Sequence, residues 1–359
     1  MPPADVVVVG GGIAGLTTAL AIAERRKRVL ILDRPRLGSA SRAAAGMLAP
    51  SVEGLPADVL PAAIAARDFY PQFLATLMGR ADVPVSLDRR GILELASSVA
   101  DRDLFANRAG ASAHVLDGPA LQQLEPTLTG HAGAVLHPDD GAVDNVALMF
   151  ALDLAVSREP HIERVVATVH SVGLASEGAL EVTTSTERVT CGHVVLAAGA
   201  WMTGIQGMPR TIPVRPVRGQ LLLLGEGGVG HVTYGGGGYL VPRGRGLIIG
   251  ATSEEAGFEC QPTEAGRISL LAIARAASPA LGGVAVLDHW AGLRPMSPDS
   301  LPLLGADPDM PGLVYACGFS RNGILLAPWA ARHLAALVVD GFTPDVLAPF
   351  APDRFDPKQ

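Results

Sequence analysis

Cysteine is scarce in this 359-residue chain: Cys191, Cys260 and Cys317 are the only three, and no two form a Cys-x-x-Cys pair. That argues against a disulfide framework or a structural zinc site and fits a reducing compartment, with the cytoplasm as the expected location. Clustered Lys/Arg runs are missing as well. With 28 basic against 35 acidic side chains and a net charge of −7, the chain lacks the electrostatic footprint of a nucleic-acid binder, so an anionic ligand would have to be held locally. No apolar run reaches the ~20 residues of a membrane span. The best candidate, Gly323 to Val339, is interrupted by Pro328, Arg332 and His333 and reads as a buried terminal helix, so no stable membrane insertion is expected. Met1-Pro2-Pro3-Ala4 has no basic region and Val6 to Val9 is too short for a secretory signal. No internal repeat and no Ser-His-Asp arrangement stands out. His131, His137, Asp139 and Asp140 lie close together, but their spacing matches no standard metal site, and they read as strand or loop residues near the mouth of a site. What is present is 48% hydrophobic residues, ample for the core of one large domain or two.

The most informative segment is Asp5 to Gly15, where the apolar run Val6 to Val9 ends in Gly-x-Gly-x-x-Gly at Gly10, Gly12 and Gly15. The first glycine permits a tight turn, the second lets the backbone approach a pyrophosphate, and the third lets the following helix pack close to its strand. Helix-compatible Leu16 to Arg26 follows, then a second apolar strand from Arg28 to Leu32 that ends in Asp33. The spacing predicts a complete βαβ unit. An acid at that strand end accepts hydrogen bonds from both ribose hydroxyls and repels a 2′-phosphate.

Leu37 to Pro50 is a second stretch of small residues, suited to backbone lying against an extended cofactor. Leu60 to Met78 has helical periodicity, and Ile92 to Leu95 reads as a short strand. From Arg164 to Leu196 the pattern changes to short strands, 164–172, 179–184 and 193–196, punctuated by Gly173, Gly178 and Gly192 as in a β-meander. Ala197 to Trp201 again leaves space beside a strand end. Further strands are expected at Gln220 to Leu224, Tyr239 to Val241, Leu247 to Gly250 and Val284 to Leu287, with a helix over Thr263 to Ala277. Gly235 to Gly238 reads as a flexible hairpin tip.

Taken in order, the βαβ loop, Ser41 to Pro50, Val194 to Trp201, Gly238 to Arg243, Ile249 to Thr252, Trp290 to Pro295 and Arg321 to Pro328 resemble the glycine oxidase and D-amino-acid oxidase family of FAD-dependent amine oxidases. The likeness is strongest to the glycine oxidase branch tied to thiamin biosynthesis. It implies an α/β fold, a Rossmann-like FAD-binding domain (1–80, 150–207 and 290–359) with an inserted antiparallel-sheet substrate domain (81–149 and 208–289). It also implies FAD contacts from Gly10, Gly12, Ile13, Ala14 and Gly15, from Asp33 and Arg34 at the ribose, and from Ser41, Arg42, Gly46, Met47 and Leu48 along the pyrophosphate and flavin. Val169 is implied at the adenine, and Phe319, Ser320, Arg321, Asn322, Gly323, Ile324 and Leu325 at the flavin edge. Asn322 and Gly323 precede an apolar helix, whose N-terminal amides favour negative charge.

The same resemblance implies a substrate carboxylate met by Arg294, with Arg321 and Tyr239 near that end of the site. A planar guanidinium suits the role because it binds carboxylate through two parallel hydrogen bonds and keeps its charge. Two positions depart from the family pattern: Phe319-Ser320 stands where a histidine is common, and Ser253 where a methionine can form the pocket wall. Both touch the pocket, and a smaller polar wall suits N-substituted glycines. No cysteine stands where a relative links its flavin, so non-covalent FAD is expected. The implied reaction takes hydride from Cα to flavin N5 with no dedicated side-chain base, and dioxygen then reoxidises the flavin to give hydrogen peroxide. The alternatives are a dehydrogenase with another electron acceptor and a non-catalytic flavin-binding subunit. A homotetramer would match the family.

Overall fold

The computed structural model describes residues 4–244 and 246–356; Met1 to Pro3, read above as carrying no leader, lie outside them. Strand β1 (Val6–Val9) is buried along its whole length, as a strand inside a parallel sheet must be. Helix α1 (Ile13–Ala23) starts three residues earlier than the periodicity predicts, because Gly12 is already extended and serves as N-cap. It stops short of the expected Arg26, which turns into the left-handed region at φ 60°. Strand β2 (Val29–Asp33) then pairs parallel with β1.

These elements belong to a six-stranded sheet ordered 303–306, 313–317, 193–196, β1, β2, 162–166. All its pairings are parallel except the edge strand Leu303–Ala306, which runs antiparallel to Leu313–Cys317. The strand expected over 164–172 is in fact two. Ile162–Val166 extends this sheet beside β2, while Val169–Leu174 opens a three-stranded antiparallel sheet with Leu180–Thr184 and Arg188–Cys191. The break falls after Ala167, whose amide makes the last bond to β2, at the Asp33 carbonyl.

An eight-stranded sheet supplies the other wall of the molecule. Its edge strand Val286–Met296 pairs antiparallel along Arg215–Leu224 and continues well past the expected Leu287, crossing the domain boundary drawn at residue 290. Tyr239 lies on Gly238–Arg243 opposite Gly250. The glycine tract is a two-residue hairpin: Gly235 pairs with Gly238, and Gly236 and Gly237 both take positive φ, as a tight primed turn requires. The helix Glu264–Ala277 is capped by the Thr263 hydroxyl, which accepts from the Gly266 amide at 3.1 Å.

The helix Gly323–Asp340 is long and apolar enough to cross a membrane by composition, but two thirds of it is buried, chiefly against α1 and the helix Leu60–Ala81. Pro328 does not end it. A proline cannot donate to the carbonyl four residues back, here that of Ile324. The buried Tyr70 hydroxyl donates to that carbonyl instead, so the helix start is held without the missing amide.

The third motif glycine has a purely steric duty. A methyl group at Gly15 would overlap the Gly10 carbonyl and contact Ala197, so α1 could no longer lie against the turn. Gly15→Ala is expected to cost roughly 1–3 kcal/mol through overpacking and to lower the melting temperature by several degrees. Thermal unfolding of the two proteins checks this.

Candidate functional site

The carboxyl ends of β1, β2, 193–196 and 313–317 open into one long cleft of about 320 Å³ that also reaches the inner face of the larger sheet. Ligands of doubly wound sheets lie at this end of the strands. The glycine turn forms its floor. At Gly11 a side chain would sit 2.7 Å from the Arg164 Nη2 and clash with Asp33, so only bare backbone fits under that ion pair. Ser41 Oγ accepts from the Ile13 amide at 3.0 Å, which fixes the second small-residue segment over the start of α1. Trp201 lies beside the cleft, stacked on Phe258 with the Arg36 guanidinium over its ring.

Asp33 and Arg34, expected at the ribose, line the end of the cleft nearest β2, and Asp33 is already engaged. Its Oδ2 accepts from Arg164 at 2.8 Å, and Arg164 also donates to Asp153 at 2.8 Å. Those two carboxylates outweigh burial and hold the Arg164 pKa above its usual value. Arg42 lines the cleft with its guanidinium paired to Asp153 at 2.8 Å.

Gly10, Gly12, Ile13, Ala14, Ser41, Gly46, Met47, Val169 and Phe319 to Ile324 also line the cleft. Leu48 and Leu325 do not: both side chains are packed in the apolar core that α1 shares with the helix Gly323–Asp340, 2% and 1% exposed. Gly15 sits behind the turn, where it serves packing. Asn322 provides no side-chain cap for the helix that begins at Gly323, so amides of its first turn stay available at the cleft wall. Ser320, buried and at φ 53°, spends its hydroxyl on the Gly318 carbonyl at 3.2 Å and on the Ser297 amide at 3.3 Å.

At the far end of the cleft the half-buried Arg294 donates to the Thr252 carbonyl at 2.9 Å and lies over Gly219, where any side chain would collide with its guanidinium. Tyr239 covers Gly250 in the same way. Burial lowers the Arg294 pKa, with Tyr239 opposing, yet an arginine keeps its proton. Burial likewise raises Tyr239. Arg321 is engaged by Glu53 at 3.2 Å and by the Tyr234 hydroxyl at 3.2 Å. Burial pushes the Glu53 pKa up, and Arg321 and Arg294 pull it down. Arg294 therefore has no ion-pair partner among the described residues. Ser253 lies outside the main cleft, in an adjoining cavity of about 280 Å³ whose wall shares Tyr239, Arg294 and Arg321 with it.

Gly11, Glu53, Arg164, Gly219, Tyr234 and Cys317 escape the sequence reading, and only Gly11, inside the glycine run, carries a local signal. The four residues weighed as a metal cluster are engaged separately. His131 meets the Ala277 carbonyl at 2.8 Å, His137 meets Glu94 at 3.2 Å, Asp139 accepts from Ser112, and Asp140 accepts from Ser51 and Arg67.

An open cleft floored by glycine, two helix starts aimed at it and an acid at the end of β2 fit an extended dinucleotide cofactor, and the chain is an FAD-dependent oxidoreductase. The family model "DAO: FAD dependent oxidoreductase" matches residues 5–337, and the chain belongs to that family. The bifunctional protein ThiO/ThiG of Synechocystis sp. is 35% identical over 364 residues, 98% of this chain but 54% of that protein. The chain thus spans about half the length of its bifunctional relatives. Glycine oxidase of Geobacillus kaustophilus is 32% identical over 367 residues, 98% of this chain and 97% of that protein. The crystal structure of glycine oxidase from the same organism superposes with a TM-score of 0.92 at 30% identity, covering 99% of this chain and all of that one.

Cys317 lines the cleft, but burial pushes its thiol pKa up to about 12, far from the thiolate needed to attack a flavin. Acid precipitation is expected to release intact FAD into the supernatant. Flavin retained in the pellet would show a covalent link.

Proposed function

We propose that the chain oxidises glycine or a related small amino acid, such as sarcosine, another N-substituted glycine or D-alanine, to the imine and then the 2-oxo acid, releasing ammonia or an amine. Dioxygen is the proposed electron acceptor and hydrogen peroxide the second product. The observation that carries this reading is Arg294: a half-buried guanidinium with no salt bridge among the described residues, held over Gly219 beside Tyr239 at one end of the FAD cleft. A buried unpaired cation is costly, and a substrate carboxylate removes that cost. FAD, when bound, accepts the two electrons.

The side chains have positioning left to do. Arg294 fixes the carboxylate through two parallel hydrogen bonds, and Gly219 beneath it leaves the guanidinium one place to lie. Tyr239 closes the same side. Arg321 is already paired with Glu53, which leaves Arg294 as the guanidinium with no salt bridge and so the proposed anion site. The adjoining cavity behind Ser253 gives room for an N-substituent or a small side chain. We further propose that 1–80, 150–207 and 290–359 form the FAD-binding part and 81–149 and 208–289 the substrate part. The six-stranded sheet is drawn wholly from the first set of segments, in keeping with that division.

Arg294→Ala is expected to stay yellow and to lose at least about a hundredfold in catalytic efficiency, because carboxylate binding and alignment fail together. Lysine at that position is a poor substitute, since an ammonium cannot reproduce the fork. Oxygen consumption recorded beside the flavin spectrum decides this; near-normal turnover would remove the proposed site. Gly219→Ala, which displaces the same guanidinium, is expected to raise KM about tenfold or more while FAD stays bound. Adding amino acid without oxygen separates the reaction classes: bleaching that recovers in air marks an oxidase, bleaching that persists marks a dehydrogenase, and no bleaching with any amine marks a binding subunit.

A further inference from the structure

The helix Asn145–Arg158 lies behind the cleft, yet it grips the cleft wall at two points about two turns apart. Asn145, fully buried, donates to the Ser41 carbonyl at 2.7 Å. Asp153, which does not line the cleft, holds two arginines that do: Arg42 on Oδ2 at 2.8 Å and Arg164 on Oδ1 at 2.8 Å. The result is an alternating chain of charges, Asp33, Arg164, Asp153, Arg42, running from the end of β2 to the second small-residue segment.

The way Arg164 is divided matters. Its Nη1 goes to Asp153 and its Nη2 to Asp33, so Asp33 is held by one oxygen only, and its Oδ1 makes no hydrogen bond among the described residues. A guanidinium free to choose places both of its parallel N–H groups on one carboxylate. Asp153 prevents that by drawing one of them away.

We propose that Asp153 is a positioning residue for the adenosine end of FAD, keeping one oxygen of Asp33 free to accept from the ribose. Without it Arg164 swings onto both oxygens of Asp33 and competes with the ribose hydroxyls. Half-exposed ion pairs of this kind contribute little to folding, so the effect falls on cofactor affinity rather than stability.

The test is a double-mutant cycle read as the FAD dissociation constant, by titrating apoprotein and following the quenching of flavin fluorescence. Asp153→Asn is expected to weaken FAD about tenfold, the loss of one hydrogen bond to a charged acceptor, with the apoprotein melting temperature unchanged. In an Arg164→Gln background, where no guanidinium remains to cover Asp33, the same substitution is expected to change affinity by less than about twofold. Unchanged affinity in Asp153→Asn, an equal loss in both backgrounds, or a loss that tracks a fall in apoprotein stability would each overturn the proposal.

Discussion

The fold is organised around a steric constraint: peptide backbone has to reach the bottom of the cleft with nothing projecting from it. Gly10 takes φ 114° and lies where a side chain would run into the Ala197 carbonyl, so the ends of two neighbouring parallel strands touch backbone to backbone. Gly15 lets α1 follow, and Ala197 and Ala198 continue the same bare surface on the next strand. Everything polar in the cleft is hung around this floor. A single larger residue here would separate the strands and lift the helix start away from the ligand.

Both ends of the cleft carry arginines, held in different ways. Near β2, Arg164 and Arg42 are matched by Asp33 and Asp153, while Arg34 donates to Thr168 and Arg36 lies over Trp201. At the other end Glu53 forms its salt bridge with Arg321 and acts on Arg294 only at longer range, so Arg294 is held by the Thr252 carbonyl beside the Tyr239 phenol. The large sheet makes this possible. Arg294 stands opposite Val217 in the antiparallel register, so its long side chain reaches the next position on the same face, and that position is Gly219.

Much of this is legible in the sequence. The glycine spacing, the acid that closes β2 and the order of the small-residue segments depend on local backbone rules, and they located the cleft. Helix bounds slipped by three residues where Gly12 and Arg26 set the ends through backbone angles that composition does not encode. The partners of the charged residues were not legible. Arg164 looks like any arginine on an outer strand until the parallel register sets it opposite Ile31, two residues before Asp33. Glu53 sits in an irregular loop with no periodicity to betray it. Leu48 and Leu325 were placed at the cofactor because their neighbours are there, but their apolar side chains turn inward to the core.

The buried thiol in the cleft wall has one more consequence. An oxidase of the proposed kind makes its own oxidant within reach of Cys317, and peroxide attacks a cysteine through its thiolate. A thiol whose pKa is pushed up to about 12, and which is 1% exposed, keeps almost none of that form at neutral pH. Under the proposed reaction, the burial that completes the hydrophobic packing under the cleft would also keep Cys317 from becoming a sulfenic acid.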